Sequence, residues 1–160
     1  REMDLVVACV DNIDSRLTIN RHCCYYNKPL VDGGTDGFTG RVQVIFPPES
    51  ACLDCQWRHE SQEIARRKYR CDKDTNIFER PVSAVGITTS AVAAVQASEV
   101  VKLLRIVKGI QTDNYQSLMG RTLVDKKWSI DLEHNIFNTF SLHKDSECPR
   151  HSNTPRVVTT

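Results

Sequence analysis

The segment DLVVACVDNIDSRLTINRHCCYYNKPLV, from Asp4 to Val31, contains the elements that decide the fold. Asp4 to Val10 is a short, nearly continuous run of β-favouring residues, which is typical of a strand buried on both faces of a parallel sheet. Asn12 can cap the following helix, Pro29 ends it, and Pro29 to Val31 is predicted to be a second short strand. A strand, helix, strand order at this point predicts an α/β sheet with a right-handed crossover.

The predicted helix has one face that should be buried. The residues on or beside that face are Ile13, Leu17, Ile19, Asn20, Cys23 and Cys24. After the second strand, Gly33 and Gly34, with Gly37 and Gly40, predict a flexible loop. Arg41 to Phe46 then has strand character until Pro47 and Pro48 end it.

The second half of the chain divides into a charged segment, a long helix and a β-rich end. Gln56 to Lys73 has too few apolar positions for a core helix, so we expect a solvated excursion. Pro81 to Val107 is rich in Ala, Val and Ser, and its apolar positions are too many for one narrow stripe, which predicts a buried helix. Arg121 to Asp125, Trp128 to Leu132 and Ile136 to Leu142 predict a terminal antiparallel meander.

Composition restricts the class of protein. With 160 residues, of which 40% are hydrophobic, the chain should form one domain over residues 1–151, followed by a loose tail at 152–160. The formal charge of +1 gives no field that would attract nucleic acid or an anionic membrane. Because the chain has neither a membrane-spanning apolar run nor the layout of a signal peptide at Arg1 to Met3, we expect a cytoplasmic protein.

Two short motifs predict a metal site. Cys52 and Cys55 are separated by two residues, and so are Cys148 and His151. Two such knuckles can supply the four thiolate and imidazole ligands that tetrahedral zinc prefers. All four positions would then be filled by protein, so the predicted zinc is structural rather than catalytic.

Two other interpretations of these residues stay open at this stage. In the first, Cys52 and Cys55 are ordinary half-buried thiols and His151 belongs to a disordered tail. In the second, Cys52 and Cys55 form a redox pair, but Asp54 between them would oppose thiolate formation. An odd total of seven cysteines also argues against a framework of disulfides.

The order of motifs along the chain resembles that of the ThiF/MoeB adenylyltransferases, whose fold also occurs in ubiquitin-activating enzymes. The matching parts run in order from Asp4 to His151: Asp4 to Val10, Asp11 and Asn12 with Arg16, Asn20 and Cys23, Pro29 to Gly34, Gly40 to Phe46, Cys52 with Cys55, Gln96 to Leu104, and Cys148 with His151. Each motif is weak alone, but their shared order is specific. The resemblance implies a Rossmann-like, mostly parallel sheet with helices, the antiparallel meander and a structural zinc site.

The resemblance also implies an activity. In this family a carboxylate attacks the α-phosphorus of ATP, which gives an acyl-adenylate and pyrophosphate. The carboxylate is usually the C-terminal glycine of a ubiquitin-like or sulfur-carrier protein. Asp11 matches the family's aspartate for Mg²⁺ and ATP, Asn12 would hold the turn or a phosphate, and Arg16 would act beside them on the first helical turn. A homodimer is a further expectation from the family.

Two departures from the family pattern affect these expectations. The family's glycine-rich nucleotide loop lies upstream of the strand at Asp4, so we expect the natural protein to extend further and these 160 residues alone to be inactive. The cysteine that accepts the acyl group in many members falls near Glu79, which cannot be a nucleophile. Cys71 could substitute after a loop shift, because the neighbouring arginines and lysine could lower its pKa. It could equally be a spectator thiol, in which case the enzyme would stop at the adenylate and release it to a separate nucleophile.

Three alternatives to adenylation of a carrier protein remain. The substrate could be a peptide or a small carboxylate, since the fold is reused for both. The chain could be a catalytically silent partner subunit, which the missing family cysteine favours and the retained Asp11 and Arg16 oppose. It could also be a zinc-containing interaction module. The sequence upstream of Asp4 would discriminate among these possibilities.

Overall fold

The computed structural model of the protein describes residues 3–57, 85–109 and 115–151. Within these ranges one five-stranded sheet has the strand order β1 to β5. The strands are β1 (Val6–Ala8), β2 (Leu30–Asp36), β3 (Thr39–Ile45), β4 (Lys126–Asp131) and β5 (Ile136–Ser141). The helices are α1 (Ile13–Tyr25), α2 (Leu53–Gln56), α3 (Gly86–Val107) and α4 (Tyr115–Gly120).

The sheet is mixed rather than mostly parallel. β1 and β2 pair in parallel across α1, as the strand, helix, strand order predicted. The other three pairs of described strands are antiparallel, so the expectation of a mostly parallel sheet is wrong for this part of the chain. The physical reason is that β2 and β3 are joined by a tight turn, and a tight turn can connect only antiparallel strands.

The predicted glycine loop is mostly strand. Gly33 and Gly34 lie in β2 and Gly40 lies in β3, and the two strands pair along their whole length. Gly37 alone of these glycines lies in the turn, where its φ of 57° suits glycine. The prediction failed because the glycines serve close packing rather than flexibility.

The C-terminal meander is confirmed for two of its three predicted strands. β4 and β5 form an antiparallel hairpin that extends the sheet from β3. Arg121 to Asp125 is not a strand and makes a single bridge, between Val124 and Val44. Asp125 has a φ of 54°, in the left-handed region, and therefore interrupts extended backbone just before β4 begins.

Two helices cover opposite faces of the sheet. Asn12 caps α1, since its Oδ1 accepts a hydrogen bond of 2.8 Å from Ser15 N, and the helix ends at Tyr25, before Pro29. The buried face of α1 is formed by Arg16, Leu17, Asn20, Cys23 and Cys24. Ile13, which we expected on this face, stands in the first turn and remains 42% exposed.

Helix α3 is buried along one stripe only, so the prediction of a fully buried helix is wrong for the described chain. The stripe consists of Thr88, Val92, Gln96, Glu99 and Leu103. Ile87 and Val101, on the outer side, are 61% and 52% exposed. Most small residues of α3, such as Ala93, Ala94 and Ala97, are exposed and do not contact the sheet.

The close contact of α3 with the sheet depends on Gly33 and Gly40. A Cβ at Gly33 would lie 2.3 Å from the Gln96 side chain, and one at Gly40 would lie 2.6 Å from Val92 Cγ2. Gln96 Nε2 donates a hydrogen bond of 3.1 Å to Ala8 O and so fixes α3 to β1.

Replacing Gly40 with alanine should destabilise the protein by about 1–3 kcal/mol, because the added methyl group overlaps Val92, a buried β-branched side chain with few alternative rotamers. The matched control is Gly86→Ala at the start of α3, where no atom lies within 4 Å of the added Cβ. Urea denaturation of both variants measures the difference. Equal midpoints for the two variants would contradict this account of the packing.

Three predicted features lie wholly or mostly outside the described residues. These are the charged excursion from Gln56 to Lys73, Cys71 within it, and the tail at 152–160. In the described ranges, no helix combines the length and apolarity needed to cross a lipid bilayer.

Candidate functional site

The carboxyl end of β1 places Asp11 at the surface. Asp11 follows the strand and precedes α1, and its side chain is exposed. Asn12 Nδ2 donates a hydrogen bond of 3.1 Å to Asp11 Oδ1, while Asn12 Oδ1 caps the helix. Asn12 therefore orients the aspartate and fixes the turn at once. An exposed carboxylate at this end of a strand is suited to bind a divalent cation.

Arg16 lies one turn into α1 and points at the sheet. It is 5% exposed, and its guanidinium donates to the carboxylate of Asp32, to Gly33 O and to Val10 O. These contacts join the ends of β1 and β2 to the first turns of α1. In this arrangement Arg16 positions the turn that carries Asp11, and direct contact of Arg16 with a substrate stays a prediction.

Asp32 is a buried acid that our sequence analysis missed. It lies in β2 with no exposed surface and forms an ion pair with Arg16. Burial raises the pKa of the Asp32 carboxyl, whereas the guanidinium of Arg16 acts in the opposite direction through its charge and hydrogen bond. The signal in the sequence was an aspartate inside the apolar strand at Leu30 and Val31, where a charge needs a partner.

A second arginine lies beside this pair. Arg41, in β3, is directly opposite Gly34 of β2, and a Cβ at Gly34 would be 3.3 Å from Arg41 Nε and 3.3 Å from Arg16 Nη2. The guanidinium groups of Arg16 and Arg41 therefore both lie against Gly34, in the space that a side chain at this position would fill. Arg41 also stacks on Trp57, with its Cζ 4.4 Å from the ring centroid. Burial lowers the pKa of Arg41, and Asp32 counteracts this effect.

Unused hydrogen-bond donors lie on the same face of β3. Gln43 is 2% exposed, and its Oε1 accepts a hydrogen bond of 3.1 Å from Gln56 Nε2. Its Nε2 is buried and has no partner among the described residues. Arg41 lies two residues before Gln43 and therefore on the same face of β3. These buried or half-buried side chains, which we call the β3 polar face (Arg41, Gln43, Gln56 and Trp57), include donors that suit an acceptor-rich ligand.

The four predicted metal ligands come together in space. One ligand atom from each of Cys52, Cys55, Cys148 and His151 lies within 4.8 Å of the other three. Cys52 Sγ is 3.8 Å from Cys55 Sγ and 3.7 Å from Cys148 Sγ. A tetrahedral zinc centre with Zn–S bonds of about 2.3 Å has edges of about 3.8 Å between its sulfur atoms.

The surroundings of these four residues also suit a cation. Cys52 and Cys148 are fully buried, and His151 Nε2 is a buried nitrogen with no partner among the described residues. Hydrogen bonding with Cys24 is the main factor that raises the pKa of the Cys52 thiol, to about 12. Burial is the main factor that raises the pKa of the Cys148 thiol. A cation at the centre would reverse this preference for neutral thiols by binding the thiolate form.

Comparisons with known proteins agree with the motif order. The sequence profile described as the ThiF family matches residues 1–150. The sulfur carrier protein ThiS adenylyltransferase of Escherichia coli K12 is 34% identical over 110 residues, which is 68% of this chain and 38% of that protein. The heterocyst HesA protein of Trichormus variabilis is 27% identical over 146 residues, covering 91% of this chain and 45% of that protein. The chain thus spans less than half the length of these relatives.

Solved structures share the fold at low sequence identity. The crystal structure of E. coli MccB with ATP superposes with a TM-score of 0.61 at 15% identity, over 93% of this chain and 39% of that one. A heterocyclase in complex with substrate and cofactor superposes with a TM-score of 0.67 at 16% identity, over 92% of this chain and 20% of that one. Given the mixed sheet, the ordered motifs and a profile match over nearly its whole length, the chain belongs to the ThiF family.

Proposed function

We propose that this chain is part of an enzyme that uses ATP to adenylate a carboxylate, and that the carboxylate is the C-terminus of a ubiquitin-like or sulfur-carrier protein. The observation that carries the proposal is the exposed carboxylate of Asp11 at the end of β1, oriented by Asn12 and supported from below by the Arg16–Asp32 ion pair. Family membership supports the reaction class, and the sulfur-carrier adenylyltransferase relative supports the kind of substrate.

The described residues have separate functions in this proposal. Asp11 would hold Mg²⁺, which neutralises phosphate charge while the substrate carboxylate attacks the α-phosphorus and pyrophosphate leaves. Arg16 and Asp32 keep the β1 and β2 ends in register with α1. Cys52, Cys55, Cys148 and His151 would hold a structural zinc ion whose coordination is complete, so the metal supplies no open position for catalysis.

The β3 polar face supports a carrier protein as the substrate. Adenylation of a protein terminus requires that an extended backbone, rich in carbonyl acceptors, reach the nucleotide. Gln43 Nε2 is a donor without an acceptor among the described residues, and the guanidinium of Arg41 lies on the same face of β3. We infer that the terminal segment of the carrier lies along this face.

The test is a pyrophosphate-release assay on the full-length protein with candidate carrier proteins. A carrier with a free C-terminal glycine should stimulate release, and the same carrier with an amidated C-terminus should not, because it lacks the attacking carboxylate. Stimulation by a short peptide alone would favour a peptide, rather than a carrier protein, as the substrate. If folded protein released no more pyrophosphate than an enzyme-free blank with every carboxylate substrate tested, that result would contradict the proposed adenylation.

Arg41→Ala should raise the KM for the carrier about tenfold and change kcat little, because it removes a charged donor from the binding face rather than from the reacting atoms. Steady-state kinetics at saturating ATP measures both constants. Arg105→Ala is the matched control, since it removes the same charge from the exposed end of α3, on the other face of the sheet. A kcat loss without a change in KM would contradict the inferred binding path.

A further inference from the structure

Asp54, which follows Leu53 in the first metal knuckle, is a buried acid with partners on two other segments, α1 and the second knuckle. Asp54 lies in α2, between Cys52 and Cys55, and is 5% exposed. A carboxylate so close to metal thiolates would repel them if nothing balanced its charge. Its surroundings therefore decide whether it weakens or supports the site.

Two guanidinium groups balance the charge of Asp54. Arg150 Nε is 3.5 Å from Asp54 Oδ2, and Arg21 Nη2 is 3.7 Å from Asp54 Oδ1. Arg150 stands between Cys148 and His151 in the second knuckle, and its buried Nε has no hydrogen-bond partner among the described residues. Asp54 is thus the carboxylate that compensates this cation, and the pair links two knuckles that are distant in sequence.

Asn20 connects the same carboxylate to α1. This residue is fully buried, and its Nδ2 donates a hydrogen bond of 2.9 Å to Asp54 Oδ2. Its Oδ1 accepts from Leu53 N at 3.3 Å, so one side chain holds both the backbone and the acid of α2. Cys24 Sγ also donates to this oxygen, at 3.9 Å.

We propose that Asp54 is a positioning residue for the metal site, which joins the two knuckles through Arg150 and fastens both to α1 through Asn20. The proposal rests on the metal site given under the proposed function. It adds that the ligands are held in place before metal binds, by an ion pair between the knuckles rather than by the metal alone. Outer residues of this kind typically change metal affinity by about 10–100-fold when they are replaced.

Metal release from the full-length protein tests this proposal. Asp54→Asn keeps the shape of the side chain and an oxygen for Asn20, but it loses the charge that faces Arg150. We expect zinc transfer to a chromogenic chelator to become at least about tenfold faster. The visible absorption band of the cobalt-loaded variant should also shift, because the ligands are held less rigidly. A stability effect alone would not move that band.

Matched variants separate the possible outcomes. Glu133→Gln removes an exposed carboxylate between β4 and β5 and should leave the release rate unchanged. Arg150→Gln should accelerate release as Asp54→Asn does, and the double variant should be no faster than the faster single variant, because the two residues act as a pair. Release from Asp54→Asn at the wild-type rate, or multiplicative effects in the double variant, would overturn the proposal. Wild-type protein that binds no cobalt would instead refute the metal site itself, and this proposal with it.

Discussion

Removal of the metal from the full-length protein is expected to lower its thermal midpoint by more than about 10 °C, since structural zinc contributes on the order of 10 kcal/mol to folding. The four ligands join the start of α2 to the end of the described chain, and Cys52 and Cys148 belong to the core that packs under α1. Loss of the ion would leave a group of buried thiols without the bonds that hold these segments together. Calorimetric scans before and after chelation measure the change.

Cys148→Ser should reproduce the effect of chelation, because serine is a poor zinc ligand. Cys9→Ser is the matched control, since Cys9 is exposed and lies outside the cluster. The thermal midpoint of Cys9→Ser should equal that of the wild type. If chelated protein and Cys148→Ser both kept the wild-type midpoint, the structural function of the cluster would be wrong.

Asp11→Asn should reduce adenylation by a factor of about 100 or more and leave the fold intact. The amide keeps the size of the side chain but loses the charge that would hold Mg²⁺ against the phosphates, and charge stabilisation of this kind is typically worth about 10²–10³ in rate. Because Asp11 is exposed and bonded only to its neighbour among the described residues, its replacement should not alter the unfolding midpoint.

The ATP–pyrophosphate exchange rate with a saturating carrier measures this loss. Asp36→Asn serves as control, because Asp36 is another exposed aspartate at the end of a strand, β2, where the chain turns into β3. It should retain full exchange. If Asp11→Asn kept an exchange rate near that of the wild type, the proposed function of Asp11 in holding Mg²⁺ would be wrong.

The parts that sequence predicted well are those set by local pattern. The cap at Asn12, helix α1 and the parallel partner strand follow from neighbouring residues, and the β4–β5 hairpin follows from two β-like segments joined by a short polar turn. The meeting of the metal ligands was predicted because equal knuckle spacing implies a shared ion. In each case the information lies in short motifs, although the two knuckles themselves are far apart in the chain.

The parts that sequence did not predict depend on contacts between distant segments. Asp32 is buried because Arg16, from another element, reaches it, and no local pattern encodes that pair. Gly33 and Gly40 resemble loop glycines until the position of α3 shows that a side chain there would overlap Gln96 or Val92. These glycines allow α3 to pack close to the sheet, and only the three-dimensional structure shows that short distance.

That distance has a consequence for how such a chain can diverge. The space between β3 and α3 is shared by residue 40 and residue 92, so neither can grow unless the other shrinks. Pairs of substitutions that conserve the combined volume, such as alanine at both positions, remain accessible where the single enlargement does not. In related chains, a larger residue at position 40 should therefore occur together with a smaller residue at position 92.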